Sequence, residues 1–361
     1  MGKLNEPRHP GDLLLFEITK RGMKQKELAI RTGMSEKHVS TVINGAKTIS
    51  ASFARRLDIA LGAESGTWSK HQADYDIYMA QLEEENGITD EENKVFKGMK
   101  DIVAYFIGAR LMSNNCGNAE KILQLRTILC VNSLTVIPQI TYNAAYRAQV
   151  KTSTAVDPYI LFAWQRMCEL RTEKTEIEAQ FSSKKLVKYI PKIKEQMFEL
   201  DPNVMIKQLK TIFAVCGVAF DVVPHFRGAP VQGFIKQIDN EKVILCVTIR
   251  GKGADKFWFS LFHEVGHLIN GDFHTRFVDF DTVKTEMEDK ADNFARDTLL
   301  DPFLYKSFIK SGKYHDLDNI KRFSKIAGVP HWVVIGRLHK DEWLDWSYFA
   351  HEAPSFEWEK P

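Results

Sequence analysis

The chain of 361 residues has no C-x-x-C pair, and its five cysteines (Cys116, Cys130, Cys168, Cys216, Cys246) are odd in number and far apart. That excludes a disulfide framework and a thiolate metal site. The cysteines read as reduced, mostly buried thiols of a cytosolic protein. No uncharged apolar run reaches membrane-spanning length. The opening MGKLNEPRHP has no apolar core of a secretory signal, and Glu6 does not fit a myristoylation pattern. An excess of one charge is missing as well. With 49 Lys and Arg against 47 Asp and Glu, the net charge is +2, so any nucleic-acid binding must come from a local face. Internal repeats and low-complexity tracts are also absent. What remains is a soluble balance, 44% hydrophobic and 27% charged, at a length that favours two or three domains. The expectation is a cytoplasmic, multi-domain protein with no membrane partner.

Three stretches differ in texture. Residues 1–85 read as a compact run of short helices. Leu14, Leu15 and Ile18 sit at helical spacing; Gly22 breaks the chain before QKELAIRT, and Gly33 makes a tight turn. Ser35 is a good N-cap for SEKHVSTVIN, whose Val39, Val42 and Ile43 form one stripe. Gly45 and Gly62 close the third and fourth helices. A fifth helix carries Trp68, Tyr75 and Met79 into the acidic patch at 83–85. Residues 86–205 read as a helical connecting region. Thr89 and Glu92 form a capping box ahead of a long stripe through Val95, Ile102, Phe106 and Leu111, and Asp157-Pro158 starts the helix containing Trp164. In residues 206–361, VAFDVV, QGFIKQI and KVILCVTI are strand-like, and helices are predicted over 257–270, 286–300, 318–326 and 331–338. That pattern predicts an α+β domain with a small antiparallel sheet beside the first of those helices.

The strongest chemical signal is His263-Glu264-Val265-Gly266-His267. On a helix, residues i and i+4 project from one face, so both imidazoles can converge on one zinc ion. Glu264 lies about 100° around the same turn, where its carboxylate can serve as general base toward an attacking water. The bland alternative is a helix with two histidines one turn apart. Twenty-one residues beyond His267, in EDKADNFARD, Glu288 precedes Asp292 by four positions. Glu288 supplies the third ligand that an open zinc site needs, and Asp292 can accept the second N–H of a ligating histidine. The alternative is a solvated acidic face, but Ala291, Phe294 and Ala295 make one side of that helix apolar and therefore packed. His274 is an isolated loop histidine and is left outside the site.

The second signal is the helix-turn-helix. Gln25 opens the positioning helix, and Ser35, Lys37, His38, Ser40, Thr41 and Asn44 give the next helix a polar outward face suited to a major groove. Lys47 can reach phosphate. Residues 1–70 hold twelve Lys and Arg against seven Asp and Glu, a local excess of five, which small helical bundles also show.

Both ends carry a family resemblance. HPGDLLLFEITKRG, KQKELAIRTGMSEKHVSTVINGAKTIS and TWSKHQADYDIYMA resemble HigA-type antitoxins of the Xre helix-turn-helix class. FWFSLFHEVGHLIN, EMEDKADNFARDTLLDP and GVPHWVVIGRLHKDEWLDWS look like the ImmA/IrrE metallopeptidase family, and AAYRAQVKTSTAVDPYILFAW is similar to the segment joining the two in fused proteins. The resemblance implies operator DNA bound by a homodimer, a HigB-like ribonuclease toxin as partner, and an Xre-type repressor as peptidase substrate. It also implies a zincin-like fold with one zinc per protomer on His263, His267 and Glu288, and Glu264 as the catalytic glutamate. Two positions depart from the family. Asn270-Gly271-Asp272 stands where many members have another histidine, and Asp292 stands where Asn is frequent.

Two functional readings follow. In the first, a DNA-binding antitoxin module is joined to a zinc peptidase, with the strand over 231–238 pairing by its edge with an extended substrate. In the second, the same module acts as a repressor and antitoxin, and the HExxH part only senses metal or ligand.

Overall fold

The computed structural model describes residues 7–140, 156–177, 179–229, 231–238, 242–248, 253–272, 277–280 and 286–356, with residues 277–280 described in backbone only. Their backbone contacts divide into two compact units. One comprises residues 1–93 and 113–124, and the other comprises residues 94–112 and 125–361.

In the first unit, α1 (Pro10–Lys20), α2 (Gln25–Thr32), α3 (Glu36–Ile43), α4 (Ala51–Leu61) and α5 (Thr67–Asn86) enclose Leu14, Ile18, Leu28, Val39, Val42, Phe53, Leu57 and Trp68. The helix starts are set by side chains. Ser35 Oγ accepts the His38 N–H at 3.1 Å, and Ser50 Oγ accepts that of Phe53 at 3.3 Å. Gly33 at φ 62° ends α2, and Arg56 of α4 ties that turn down by donating from Nη1 to the Thr32 and Gly33 carbonyls at 2.9 and 3.3 Å. Asp58, buried in α4, caps α5 from a distance. Its two carboxylate oxygens accept the Gly66 and Trp68 N–H groups at 2.8 and 3.1 Å. The apolar spacing of α5 does not continue as a buried stripe. Trp68 is buried, but Met79 is 44% exposed, because α5 runs past the small core that its first turns close.

The long stripe expected from Val95 to Leu111 is two helices, α6 (Asp90–Gly98) and α7 (Lys100–Gly108). Thr89 Oγ1 accepts the Glu92 N–H at 3.2 Å, as a capping box requires. The chain turns at Met99, which is buried together with Phe96 and Phe106, and this turn leaves Leu111 exposed. Next come α8 (Asn118–Leu129), α9 (Ile137–Ile140), α10 (Pro158–Thr172), α11 (Ser183–Glu195) and α12 (Pro202–Val215). Asp157 Oδ1 accepts the Tyr159 and Ile160 N–H groups and starts α10, with Pro158 in its first turn.

The sheet contains β1 (Val218–Val223), β2 (Val231–Gln237), β3 (Val243–Thr248) and β4 (Phe277–Phe280) in the order β1-β3-β2-β4. It is mixed, not purely antiparallel, since β1 runs parallel to β3 and β2 is antiparallel to both its neighbours. The physical reason lies in the covering helices. All six residues of β1 and all six of β3 are buried, so both faces are covered and the apolar runs carry no alternation to read. Trp164 of α10 packs edge-on to Phe234 from one side, while α13 (Ala254–Asn270) meets the neighbouring Gly233 from the other. Asp221 of β1 is buried but paired with Arg171 at 3.0 Å and Lys210 at 3.0 Å. After β4 the chain continues as α14 (Glu286–Leu299), α15 (Pro302–Lys310), α16 (Leu317–Ala327) and α17 (His331–Lys340).

Candidate functional site

The helix α13 is amphipathic, and Phe257, Trp258, Leu261, Phe262, Val265 and Leu268 anchor it in the core of the second unit. That packing fixes the rotation of the helix and leaves His263 and His267 one turn apart on a face turned toward α14. The two helices come close because residue 266 is Gly. A Cβ there would lie 3.1 Å from the Ala291 Cα and 3.3 Å from its carbonyl oxygen, tighter than most packed Cβ contacts, so the helices would have to part by a few tenths of an ångström. The fourth position of the motif thus sets the distance at which α14 can deliver Glu288.

His263, His267 and Glu288 each bring one ligand atom to a common point, all within 4.8 Å of one another. His263 Nε2 is 3.1 Å from His267 Nε2 and 3.1 Å from Glu288 Oε2, and His267 Nε2 is 3.6 Å from the same oxygen. Donors bound tetrahedrally at zinc-ligand distances stand about 3.3 Å apart, so the triangle matches what the ion requires. Both outer ring nitrogens are held by carboxylates. His263 Nδ1 donates to Asp292 Oδ1 at 2.8 Å, and His267 Nδ1 donates to Asp272 Oδ2 at 2.9 Å. Those bonds hold each Nδ1–H outward and turn both Nε2 atoms inward, each offering a lone pair when its ring is neutral and an N–H toward Glu288 when it is protonated. Two such lone pairs at 3.1 Å repel each other unless a cation or proton sits between them. The cluster fits a divalent metal with three protein ligands.

The electrostatics agree. Burial alone would lower the His267 pKa, but the Glu288 hydrogen bond, the Glu264 charge and the Asp272 hydrogen bond outweigh it and raise it above its ordinary value. Burial alone would raise Glu288, yet hydrogen bonds from His263 and His267 hold it down at about 2. Glu288 therefore stays ionised at neutral pH, and the site is a negative pocket facing two imidazoles.

Glu264 is fully buried beside this cluster, against β2. A Cβ on Gly233 would fall 2.0 Å from its Cδ and Oε1, so the glutamate occupies the space that any other residue at 233 would fill. Sequence reasoning missed two of these residues. Asp272 lies just past the helix end, where the left-handed Gly271 (φ 84°) turns the chain back and the Asp272 N–H bonds the His267 carbonyl at 3.0 Å. Gly233 carries no side chain to attract notice, and only the approach of α13 to β2 gives it a role. The strand over 231–238, expected to offer its edge to a substrate, has none to offer. β2 is paired with β3 on one side and β4 on the other. His274 lies outside the described residues.

In the first unit, Lys37, Asn44 and Lys47 are exposed, while Gln25, Ser40 and Thr41 are half-buried on α2 and α3. Thr41 Oγ1 donates to the Lys37 carbonyl at 2.5 Å, and Asn44 Nδ2 donates to Ser40 Oγ at 3.4 Å. Ser35 is engaged as the N-cap. His38, expected on the outward face, turns inward. Its ring stands edge-on to Phe53 at 4.9 Å, and its Nε2 is buried with no partner among the described residues. The stripe of Val39, Val42 and Ile43 draws that side of the helix into the core.

Neither a family model nor a curated protein matches this chain. Solved structures do. An addiction module antidote protein of the HigA family from Coxiella burnetii is 32% identical, and the match covers 23% of this chain and 92% of that one with a TM-score of 0.22. A putative antidote protein of a plasmid maintenance system from Nostoc punctiforme is 28% identical over 22% of this chain and 87% of its own, with a TM-score of 0.21. The N-terminal part of the chain is similar to HigA-family antidote proteins.

Proposed function

We propose that the chain is a DNA-binding regulator of antitoxin type, dimeric on its operator, whose second unit is a zinc-dependent peptidase of zincin type acting on a regulatory protein. The observation that carries the reading is the convergence of His263, His267 and Glu288 with Glu264 one position along the same helix. Those three side chains would hold the metal, with Asp292 and Asp272 fixing the two rings. Zinc, when bound, supplies Lewis acidity toward the scissile carbonyl and toward water. Glu264 takes the proton of the attacking water as the new C–O bond forms, then gives it to the leaving nitrogen as the C–N bond breaks. A helix-turn-helix with Lys37 and Lys47 exposed beside it supports the DNA-binding half. An Xre-type repressor or a HigB-like toxin is the substrate or partner class this reading names.

One observation favours a second reading, a repressor whose metal site only senses. Glu264 is wholly buried and packed against β2, so a substrate reaches its carboxylate only through a local opening. The deciding experiment combines metal analysis of the purified full-length protein with a cleavage assay on the products of neighbouring genes, run beside Glu264→Gln. Zinc near one per protomer and cleavage lost in the variant supports the peptidase; zinc present with no cleavage in either protein supports the sensor.

A further inference from the structure

A cavity of about 560 Å³ opens among α13, α14 and α17, within the range of about 300–1,000 Å³ that small-molecule sites occupy. None of His263, His267 and Glu288 lines it. Its wall is mainly apolar, with Trp258, Phe259, Leu299, Val333 and Trp346 contributing.

The polar groups on that wall are hydroxyls, the Gln232 amide, the Trp258 indole N–H and charged side chains. Hydroxyls are already used by the protein: Thr248 Oγ1 donates to the Val231 carbonyl at 2.6 Å, and Ser260 Oγ donates to Gln232 Oε1 at 3.1 Å. A sugar or nucleotide, which needs many free hydrogen-bonding partners, finds few here. Charged groups are different. Lys256, Arg296, Arg337 and Lys340 line the cavity against Asp255. Arg337 is engaged, its Nε 2.5 Å from Asp341 and its guanidinium 4.8 Å from the centre of the Tyr305 ring, and Arg296 donates one N–H, from Nη2, to Asn293 Oδ1. Lys256 and Lys340 are exposed and have no ion-pair partner among the described residues. Apolar burial below and uncompensated positive charge at the rim define one chemical class.

We infer that this cavity binds an amphipathic carboxylic acid, with its apolar body against Trp258, Phe259 and Val333 and its carboxylate at Lys256, Arg296 and Lys340. The site is distinct from the metal cluster but adjacent to it. Ser260 precedes His263 by one turn on α13, and Arg296 follows Asp292 by one turn on α14. Binding there depends on neither the zinc nor the peptidase reading, so its failure and theirs are separable.

The test titrates full-length protein with decanoate and follows tryptophan fluorescence and heat, since Trp258 and Trp346 line the cavity. Saturable one-to-one binding is expected, with decanol and decyltrimethylammonium at least about tenfold weaker. The double variant Lys256→Glu/Lys340→Glu, at exposed positions, should weaken decanoate by about tenfold while melting temperature and zinc content stay at wild-type values. Absence of saturation overturns the inference. So does equally tight binding of decanol or the cationic amphiphile, which would mark an apolar void with no charge selection. An unchanged decanoate affinity in the double variant overturns it as well.

Discussion

At the residue scale, binding and chemistry are assigned to different side chains, and substitutions should separate them. Glu264 is beside the donor triangle but not one of its corners. Glu264→Gln keeps shape and hydrogen bonding but cannot accept a proton, so zinc content should stay near wild type while cleavage of a competent substrate falls ~100-fold or more. Cleavage at the wild-type rate by this variant would end the peptidase reading. Glu288 is a corner, and Glu288→Ala should lose most of the metal, as measured by elemental analysis after gel filtration. Asp272 tests the residue that the sequence did not reveal. Asp272→Ala removes the acceptor that fixes the His267 ring, and metal affinity should drop about 10- to 100-fold, the usual cost of losing such a partner. Metal affinity equal to wild type would mean that the His267 ring is held by packing alone.

At the element scale, what was legible in the sequence divides along local and tertiary lines. The spacing of His263 and His267 and the four-residue interval of Glu288 and Asp292 are properties of single helices, and periodicity exposes them without any knowledge of packing. The caps at Ser35, Thr89 and Asp157 were readable for the same reason. Gly233 and Asp272 were not readable, because each matters only through a neighbour brought in by the fold: Glu264 across to β2, and His267 by way of a left-handed turn. The parallel pairing of β1 with β3 escaped because burial on both faces erases the alternation that marks a half-exposed strand. His38 escaped because polar residues flank an apolar stripe, and composition alone does not say which flank turns in. Its packing makes a prediction for α3. His38→Ala should cost about 1–2 kcal/mol of stability through the lost contact with Phe53. Operator preference should not change, whereas Lys37→Ala should weaken all DNA sequences alike and flatten the salt dependence by about one phosphate contact. Altered base preference in the His38 variant, read by competition binding on operator mutants, would put that ring back on the DNA face.

For the molecule as a whole, protons and metal should compete for the same groups, and the sign can be followed through. The His267 pKa is raised above its unfolded value, so in metal-free protein its contribution to stability is complete below the unfolded pKa. It fades as pH rises through the folded one. Glu288 works the other way. Held at about 2 in the fold, it stabilises above its unfolded pKa and loses that effect as pH falls toward 2. Metal-free protein is therefore favoured by mildly acidic conditions, where Glu288 is ionised and His267 protonated. Zinc at the proposed site would need the His267 Nε2 lone pair and would displace that proton, so its affinity should climb as pH rises through the same range. The stabilisation that zinc confers follows its affinity. Melting the protein with zinc and with a chelator at about pH 5.5 and about pH 7.5 should show a small difference at the first and a larger one at the second. The growth should be bounded by about 1.4 kcal/mol per pH unit for each proton displaced. A zinc-induced stabilisation that is the same at both pH values would mean the metal does not displace the His267 proton, and the His263–His267–Glu288 cluster would then not be where it binds.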